Sequence, residues 1–483
     1  MNQSRDIDLV DSLIALPAET SWAEFKHNNS NKEMIGKTCS ALSNAARVEN
    51  KHFAYILWGI EDGTRNVIGT TFELSVMLVG NQGFELWLAN KLKPSILFQF
   101  RVVAHPEGRV VIMEIAAATP APVQFDGTAY IRIGSTTPKS ADHTQRYEAL
   151  INALRPFAWE HGVAMSYVTG DEVLSHLDYA AYFRLLNIPL PEKQSIFDYL
   201  ETDQLIVKDV GGKWNITNLG AILIANDIRK FSPSLARKAV RFVAYNGKNR
   251  VADVTHRQDG SKGYANGFEG LIDFVNGLIP KNEVIEQALR RDNPMFPQLA
   301  VRELIANALI HQDMTISGAG PQIELFEDRI EFTNPGIPLV PTDRMIDLPP
   351  RSRNEALAAI MRRMGICEEQ GSGLDKVIDS VEIYQLPPLL FKANDASMQV
   401  ILYGPRSFAD MTPSERVRAC YQHSILKLIT DTPMTNASLR GRFGIEKRNA
   451  SQASLVLGKT LEEGLIKHAD PDHPRSGYVP HWA

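Results

Sequence analysis

Two stretches of the chain place carboxylates where they could do chemistry. The first is "LPAETSWAEFKHN", residues 16–28. If residues 21–27 form a strand, Trp22, Glu24 and Lys26 share one face, and Ala23 and Phe25 share the other. A glutamate two residues from a lysine on one strand face is a geometry used by metal nucleases. The carboxylate holds a divalent metal, and the ammonium steadies the attacking water or the charge developing on phosphorus. One carboxylate holds Mg2+ or Mn2+ poorly, so further acids are required. Glu19, five residues upstream, and Asp62, at the end of the strand-like "AYILWGIED", are the candidates. The blander alternative is that these acids cap a turn and pair with Lys26.

The second stretch is "VRELIANALIHQD", in which Glu303 and Asn307 stand four residues apart on one helix face. Leu304, Ile305, Ala308 and Leu309 supply the apolar face. Taken alone, Glu-x3-Asn reads more readily as a solvated helix face than as a site. Two later features change that balance. "EFTNPGIP" is a strand ending in a glycine turn, and "EEQGSGLDKV" is a Gly-x-Gly loop opening a helix, where backbone amides can meet phosphates. The Gly-Lys-Thr of "NKEMIGKTCSAL" is a decoy. The phosphate loop needs Gly-x4-Gly-Lys-Ser/Thr, and the position five before Gly36 is Asn31.

In this order the three stretches resemble the boxes of the GHKL (Bergerat-fold) ATP-binding superfamily. They are closest to its divergent branch, labelled as the C-terminal region of RecG-type helicase-related proteins. The resemblance runs from about 297 to 390 and includes "RSRNEALAAIMRRMGICEEQGSGLDKVID". It implies that Asn307 holds Mg2+, that Glu303 polarises the attacking water if ATP is hydrolysed, and that Gly371 and Gly373 approach the phosphates. A lid over about 338–370 is implied as well. The superfamily has an aspartate in its first glycine box that reads the adenine amino group. Here that place is Thr333-Asn334-Pro335-Gly336, so Asn334 offers a hydrogen-bond acceptor without the charge. No motor motif accompanies these boxes, and literal helicase activity is not expected.

The region from about 15 to 145 resembles the Schlafen-AlbA (AlbA_2) domain, an RNA- and DNA-binding fold. The resemblance rests on "ETSWAEFK", "KTCSALSNA", "YILWGIEDGTRNVIGT" and "YIRIGSTTPKSAD". In nucleolytic Schlafens three acids form the metal site, two as Glu-x4-Glu and one about 38 residues later. Glu19, Glu24 and Asp62 reproduce both spacings, and Lys26 matches the accompanying lysine. Arg132 and Ser135 in "RIGS" are the preferred phosphate contacts here, a guanidinium beside turn amides. For Trp22 a core position outweighs base stacking.

The elements that must position these groups imply a multidomain α/β and α+β protein. Its parts are a Schlafen/AlbA-like domain at 1–148, a helical or winged-helix-like connector at 149–235, a GHKL-like α/β sandwich at 236–408, and a winged helix-turn-helix at 411–483. In the last segment the sequence predicts helices at 414–430, 435–442 and 447–463, then a two-strand wing. Residues 413–483 hold ten Lys/Arg and seven Asp/Glu, a local +3 against −5 for the whole chain. Arg442, Lys447 and Arg448 flank the turn into the presumed recognition helix, where base and phosphate contacts are made. Protein–protein contact is the alternative use of such a module.

The net charge of −5 excludes a globally polybasic nucleic-acid binder, so any such surface is a local patch. Cys39, Cys367 and Cys420 lack metal or disulfide spacing, which points to a reducing compartment. No apolar run suits a signal peptide or a membrane span. A cytoplasmic protein is expected, with ATP and Mg2+ (or Mn2+) as cofactors and RNA or DNA as partner. Homo-oligomerisation is left open. Two functions fit: an ATP-gated, metal-dependent endonuclease in stress or antiphage defence, or a non-enzymatic ATP-responsive DNA-binding regulator.

Overall fold

The computed structural model describes all residues except 1–2, 17–19, 50, 155–158, 287–288, 350 and 368–372. Two of the expected site residues, Glu19 and Gly371, therefore lie outside the described residues. The chain is mixed α/β with several sheets, and it divides into two compact units. One comprises residues 1–163 and 208–215, the other residues 164–207 and 216–483.

The first unit is organised by a four-stranded sheet. Its strands are β1 (Ala23–Lys26), β2 (Phe53–Trp58), β3 (Phe98–His105) and β4 (Gly108–Ala116), in the order β1-β2-β4-β3. Only the β1–β2 pair is parallel. After helix α1 (Gln3–Ile14), the parallel neighbour needs a crossover, and α2 (Lys32–Val48) supplies it. Asn31 begins that helix by accepting a hydrogen bond from the Met34 amide at 3.0 Å. β2 and β4 read as continuous apolar runs because both are interior strands; Ala54, Leu57, Trp58, Val110, Ile112 and Ile115 are all fully buried. Gly36 is a packing glycine within α2. A Cβ there would fall 2.1 Å from the Phe125 ring, so no larger side chain fits without moving it.

The second unit carries a six-stranded sheet. Its strands are β5 (Arg241–Tyr245), β6 (Val254–Asp259), β7 (Gln322–Leu325), β8 (Arg329–Pro335), β9 (Leu390–Ala393) and β10 (Ser397–Tyr403). They are ordered β6-β5-β7-β8-β10-β9, with β5–β7 the parallel pair. Helices α3 (Phe268–Leu278), α4 (Gln298–Ile310), α5 (Glu355–Arg363) and α6 (Gly373–Ile383) accompany it, with α4 packed on β8 and against α6. Alternation along β8 sends Phe332 and Asn334 to one face and Glu331 and Thr333 to the other.

The C-terminal part of this unit has three helices, α7 (Pro413–Ile429), α8 (Asn436–Phe443) and α9 (Ala450–Glu462). A hairpin of β11 (Ile466–His468) and β12 (Tyr478–Pro480) follows. Thr412 and Glu415 form a capping box that starts α7. The third helix begins later than the spacing suggests, because Lys447–Asn449 is a 3-10 turn. No helix among the described residues is long and apolar enough to cross a membrane.

Candidate functional site

The second unit contains a cavity of about 680 Å³. Glu303 and Asn307 reach it from α4, Asn334 and Gly336 from the end of β8, and Gly373 from the start of α6. All five described residues of the expected nucleotide site thus line one space, although they are up to 70 positions apart in sequence. Phe332, Phe391, Met398 and Val400 give it an apolar wall from the sheet. Arg351, Arg353 and Arg362 bring cations to its lining.

Local geometry explains the glycine turn after β8. Gly336 has φ +98°, a left-handed backbone that a side chain disfavours. A Cβ there would lie 2.6 Å from Asp313 Cβ. That approach is fixed from both sides: the Asp313 amide donates to Pro335 O at 2.7 Å, and the Gly336 amide donates to Ala396 O at 2.8 Å. Asp313 in turn caps its own loop, accepting from the Thr315 amide at 2.9 Å, and its carboxylate lies 3.8 Å from Arg353 Nε. The Asp313 of "HQD", which no motif singles out, is therefore the post against which the glycine turn rests.

Asn354 is a second residue that sequence reasoning missed. It is buried, and its amide donates to Ile310 O at 2.7 Å and to Gln312 O at 2.8 Å, closing the C-terminal end of α4. Burial pushes the His311 imidazole below its usual pKa, so it is neutral near pH 7. Burial, with the nearby Asp347 carboxylate, pushes Asp375 in the first turn of α6 up to about 6. The run "RSRN" carried the signal for Arg351, Arg353 and Asn354, but no spacing rule says which of the four faces inward.

The acids of the first unit have a different setting. Glu24 is buried, and its two oxygens are taken by Lys26 and, at 2.5 Å, by Arg132 Nη2. Arg132, expected to meet a phosphate, has a side chain only 4% exposed and spends its charge on Glu24. In this structure Arg132 is one half of a buried ion pair. Ser135 is exposed on the adjoining turn, and Asp62 is exposed in the turn after β2. Among the described residues no three His, Cys, Asp or Glu side chains gather closely enough to hold a metal ion. Trp22 is buried edge-on to Tyr55 with Lys51 over its ring, a core position as expected.

In the C-terminal helices the expected cations separate. Lys447 and Arg448 are exposed. Arg442 is not: its side chain is 2% exposed, its Nε lies 3.3 Å from Glu382, and it donates to Leu386 O at 2.7 Å. Its guanidinium is thus enclosed between Glu382 and Leu386, unlike the exposed Lys447 and Arg448.

Comparison with known families agrees with both resemblances. Residues 19–141 match the family model described as "Schlafen, AlbA_2". Residues 318–402 match the one described as "Putative ATP-dependent DNA helicase recG C-terminal". The chain carries a Schlafen AlbA_2 region and, after it, an ATPase-type region of the RecG C-terminal kind. The second match includes Asn334, Gly336 and Gly373 but begins beyond α4, so Glu303 and Asn307 join the site through the fold. Among solved structures the chain is similar to the DIP2311 protein from Corynebacterium diphtheriae, at 17% identity, covering 99% of this chain and 97% of that one, with a TM-score of 0.43. No curated protein matches.

Proposed function

We propose that this protein is an ATP-binding nucleic-acid effector. The observation that carries the reading is the convergence of Glu303, Asn307, Asn334, Gly336 and Gly373 on one cavity. The lining fits ATP: apolar side chains for a base, a buried amide at Asn334 to hydrogen-bond it, and the start of α6 with arginines for phosphates. Asn307 would hold Mg2+ (or Mn2+) beside them, and Glu303 is the base if ATP is turned over. Nucleic acid, RNA or DNA, would meet the AlbA_2 region near Ser135 and the C-terminal helices at Lys447 and Arg448. The order of three helices and a hairpin supports reading 413–483 as a winged helix.

In its fuller form this function includes cutting. Glu19, Glu24 and Asp62 would hold the divalent metal with Lys26 beside it, as an endonuclease of stress or antiphage defence. A specific observation favours the second reading, a non-cutting ATP-responsive DNA-binding regulator. Both oxygens of Glu24 already face cations, so a metal there would share the carboxylate with Lys26 and Arg132 and meet their charge. A cleavage assay separates the two. Purified protein is tested on tRNA, single-stranded DNA and duplex DNA with Mg2+ or Mn2+, with and without ATP, beside Glu24→Gln. Metal-dependent cutting that the variant loses establishes the nuclease. Salt-sensitive binding without cutting, altered by ATP, establishes the regulator.

A further inference from the structure

The wall of the cavity is fastened to the C-terminal helices at two separate points. Met345 and Leu348 line the cavity, and the adjoining Asp343 and Arg344 contact Tyr421 of α7 and Trp482. The Tyr421 hydroxyl on α7 donates to Asp343 O at 3.0 Å, and Trp482 Nε1 donates to that same hydroxyl at 3.1 Å. The Arg344 guanidinium lies 4.1 Å from the Trp482 ring centroid while it forks onto Asp347, with its closest oxygen at 2.6 Å. These contacts form a closed ring: wall, Arg344, Trp482, Tyr421, wall.

The second point is at the far end of α6, whose first residue, Gly373, lines the cavity. Glu382, near the end of that helix, accepts His423 of α7 at 2.8 Å on one oxygen and has Arg442 Nε of α8 at 3.3 Å from the other. His423 and Arg442 are 4% and 2% exposed, so both contacts sit in packed interior. Enclosed pairs of this kind have a few discrete geometries and do not stretch. A ligand that moves the Met345–Leu348 segment or the start of α6 must carry α7 and α8 with it or break these contacts.

We infer that occupancy of the cavity and the arrangement of the C-terminal helices form one coupled equilibrium, transmitted through the Arg344–Trp482–Tyr421 ring and the Glu382–His423–Arg442 cluster. This rests on the reading of the cavity as an ATP site. The coupling is reciprocal, so whatever binds the C-terminal helices in only one arrangement alters ATP affinity by the same factor.

Trp482 makes the coupling measurable. Of the six tryptophans, those at 22, 58, 87, 159 and 214 belong to the first unit, which leaves Trp482 as the reporter of the second. Mg-ATP is titrated into the full chain while tryptophan emission is followed, with binding measured independently by calorimetry. Hydrogen exchange across α7 is compared with and without ATP. The expected result is an emission change that saturates with the calorimetric isotherm, with altered exchange in α7. Trp482→Phe loses the emission change yet still binds ATP, and the milder Tyr421→Phe binds ATP with a reduced α7 response, because the Glu382–His423 contact remains. Calorimetric binding that leaves both Trp482 emission and α7 exchange unchanged overturns the coupling and spares the ATP site. Absence of calorimetric binding overturns the ATP reading, and the coupling with it.

Discussion

At the scale of single residues, position in the fold decides what each charged group is free to do. Asn307 lines the cavity from α4, at i+4 from Glu303, and Asn307→Ala is expected to weaken Mg-ATP binding about tenfold or more, roughly the 1.4 kcal/mol of one good polar contact. Unchanged affinity by calorimetry would count against the nucleotide assignment. Arg132 is the opposite case. Removing it leaves Glu24 buried with Lys26 alone, so Arg132→Ala should lower stability by about 3 kcal/mol in urea denaturation. A change below about 0.5 kcal/mol, the level of an ordinary surface substitution, would return Arg132 to the surface role that its sequence suggests. The helix spacing of Glu303 and Asn307 was legible because α-helical periodicity fixes which residues share a face. The pairing of Glu24 with Arg132 was not, because it joins positions 108 apart whose approach depends on how the whole sheet closes. The enclosure of Arg442 is hidden for the same reason: a basic residue beside a presumed recognition helix looks exposed until Glu382 is known to lie against it.

At the scale of elements, the cavity depends on how two helices end and begin. α4 ends at Ile310 with His311 as its cap, and Asn354 supplies donors to Ile310 O and Gln312 O that the helix cannot provide for itself. Asn354→Ala is therefore expected to cost about 1–3 kcal/mol, with exchange at the C-terminal turn of α4 rising more than elsewhere in the sheet. Asp375 stands in the first turn of α6, where a helix dipole favours the carboxylate, yet burial and Asp347 outweigh it and raise the group to about 6. The unfolded carboxyl titrates near 3.9. Between those values the folded chain holds a proton that the unfolded chain has released. The associated stability is full below about pH 4 and is lost as pH rises through 6. Discounted for the solvent that still reaches the group, the effect is about 1 kcal/mol. Asp375→Asn should thus be more stable than the parent at pH 8 and equal to it at pH 4; an equal difference at both would remove the titration from the account. Strand and helix identities in this region followed from alternation and from the glycine boxes. The Asn354 clamp did not, since an asparagine after Arg353 reads as loop polarity until the end of α4 is found above it.

At the scale of the molecule, two compact units set what ATP can stabilise. The cavity and all of its described lining belong to the second, so a nucleotide bound there acts on that unit's folding equilibrium first. A ligand at about 100 times its dissociation constant adds about 2.7 kcal/mol to the state that binds it. For a unit of about 310 residues that corresponds to a rise of roughly 4 °C in midpoint, taking about 1.5 °C per kcal/mol. Hydrogen exchange during a thermal ramp, read separately for peptides of α4 and β8 and for peptides of β2 and β4, resolves the units. The second unit's midpoint should rise with Mg-ATP, and Asn307→Ala should cancel that rise. The first unit is the informative one. If the protein is an effector gated by ATP, peptides of β2 and β4 must respond to the nucleotide as well, and their response must also vanish in Asn307→Ala. If they stay unmoved while the second unit rises, ATP is confined to the unit that binds it. Any nucleic-acid binding by the AlbA_2 region would then be independent of nucleotide, and control by ATP would run through the C-terminal helices instead.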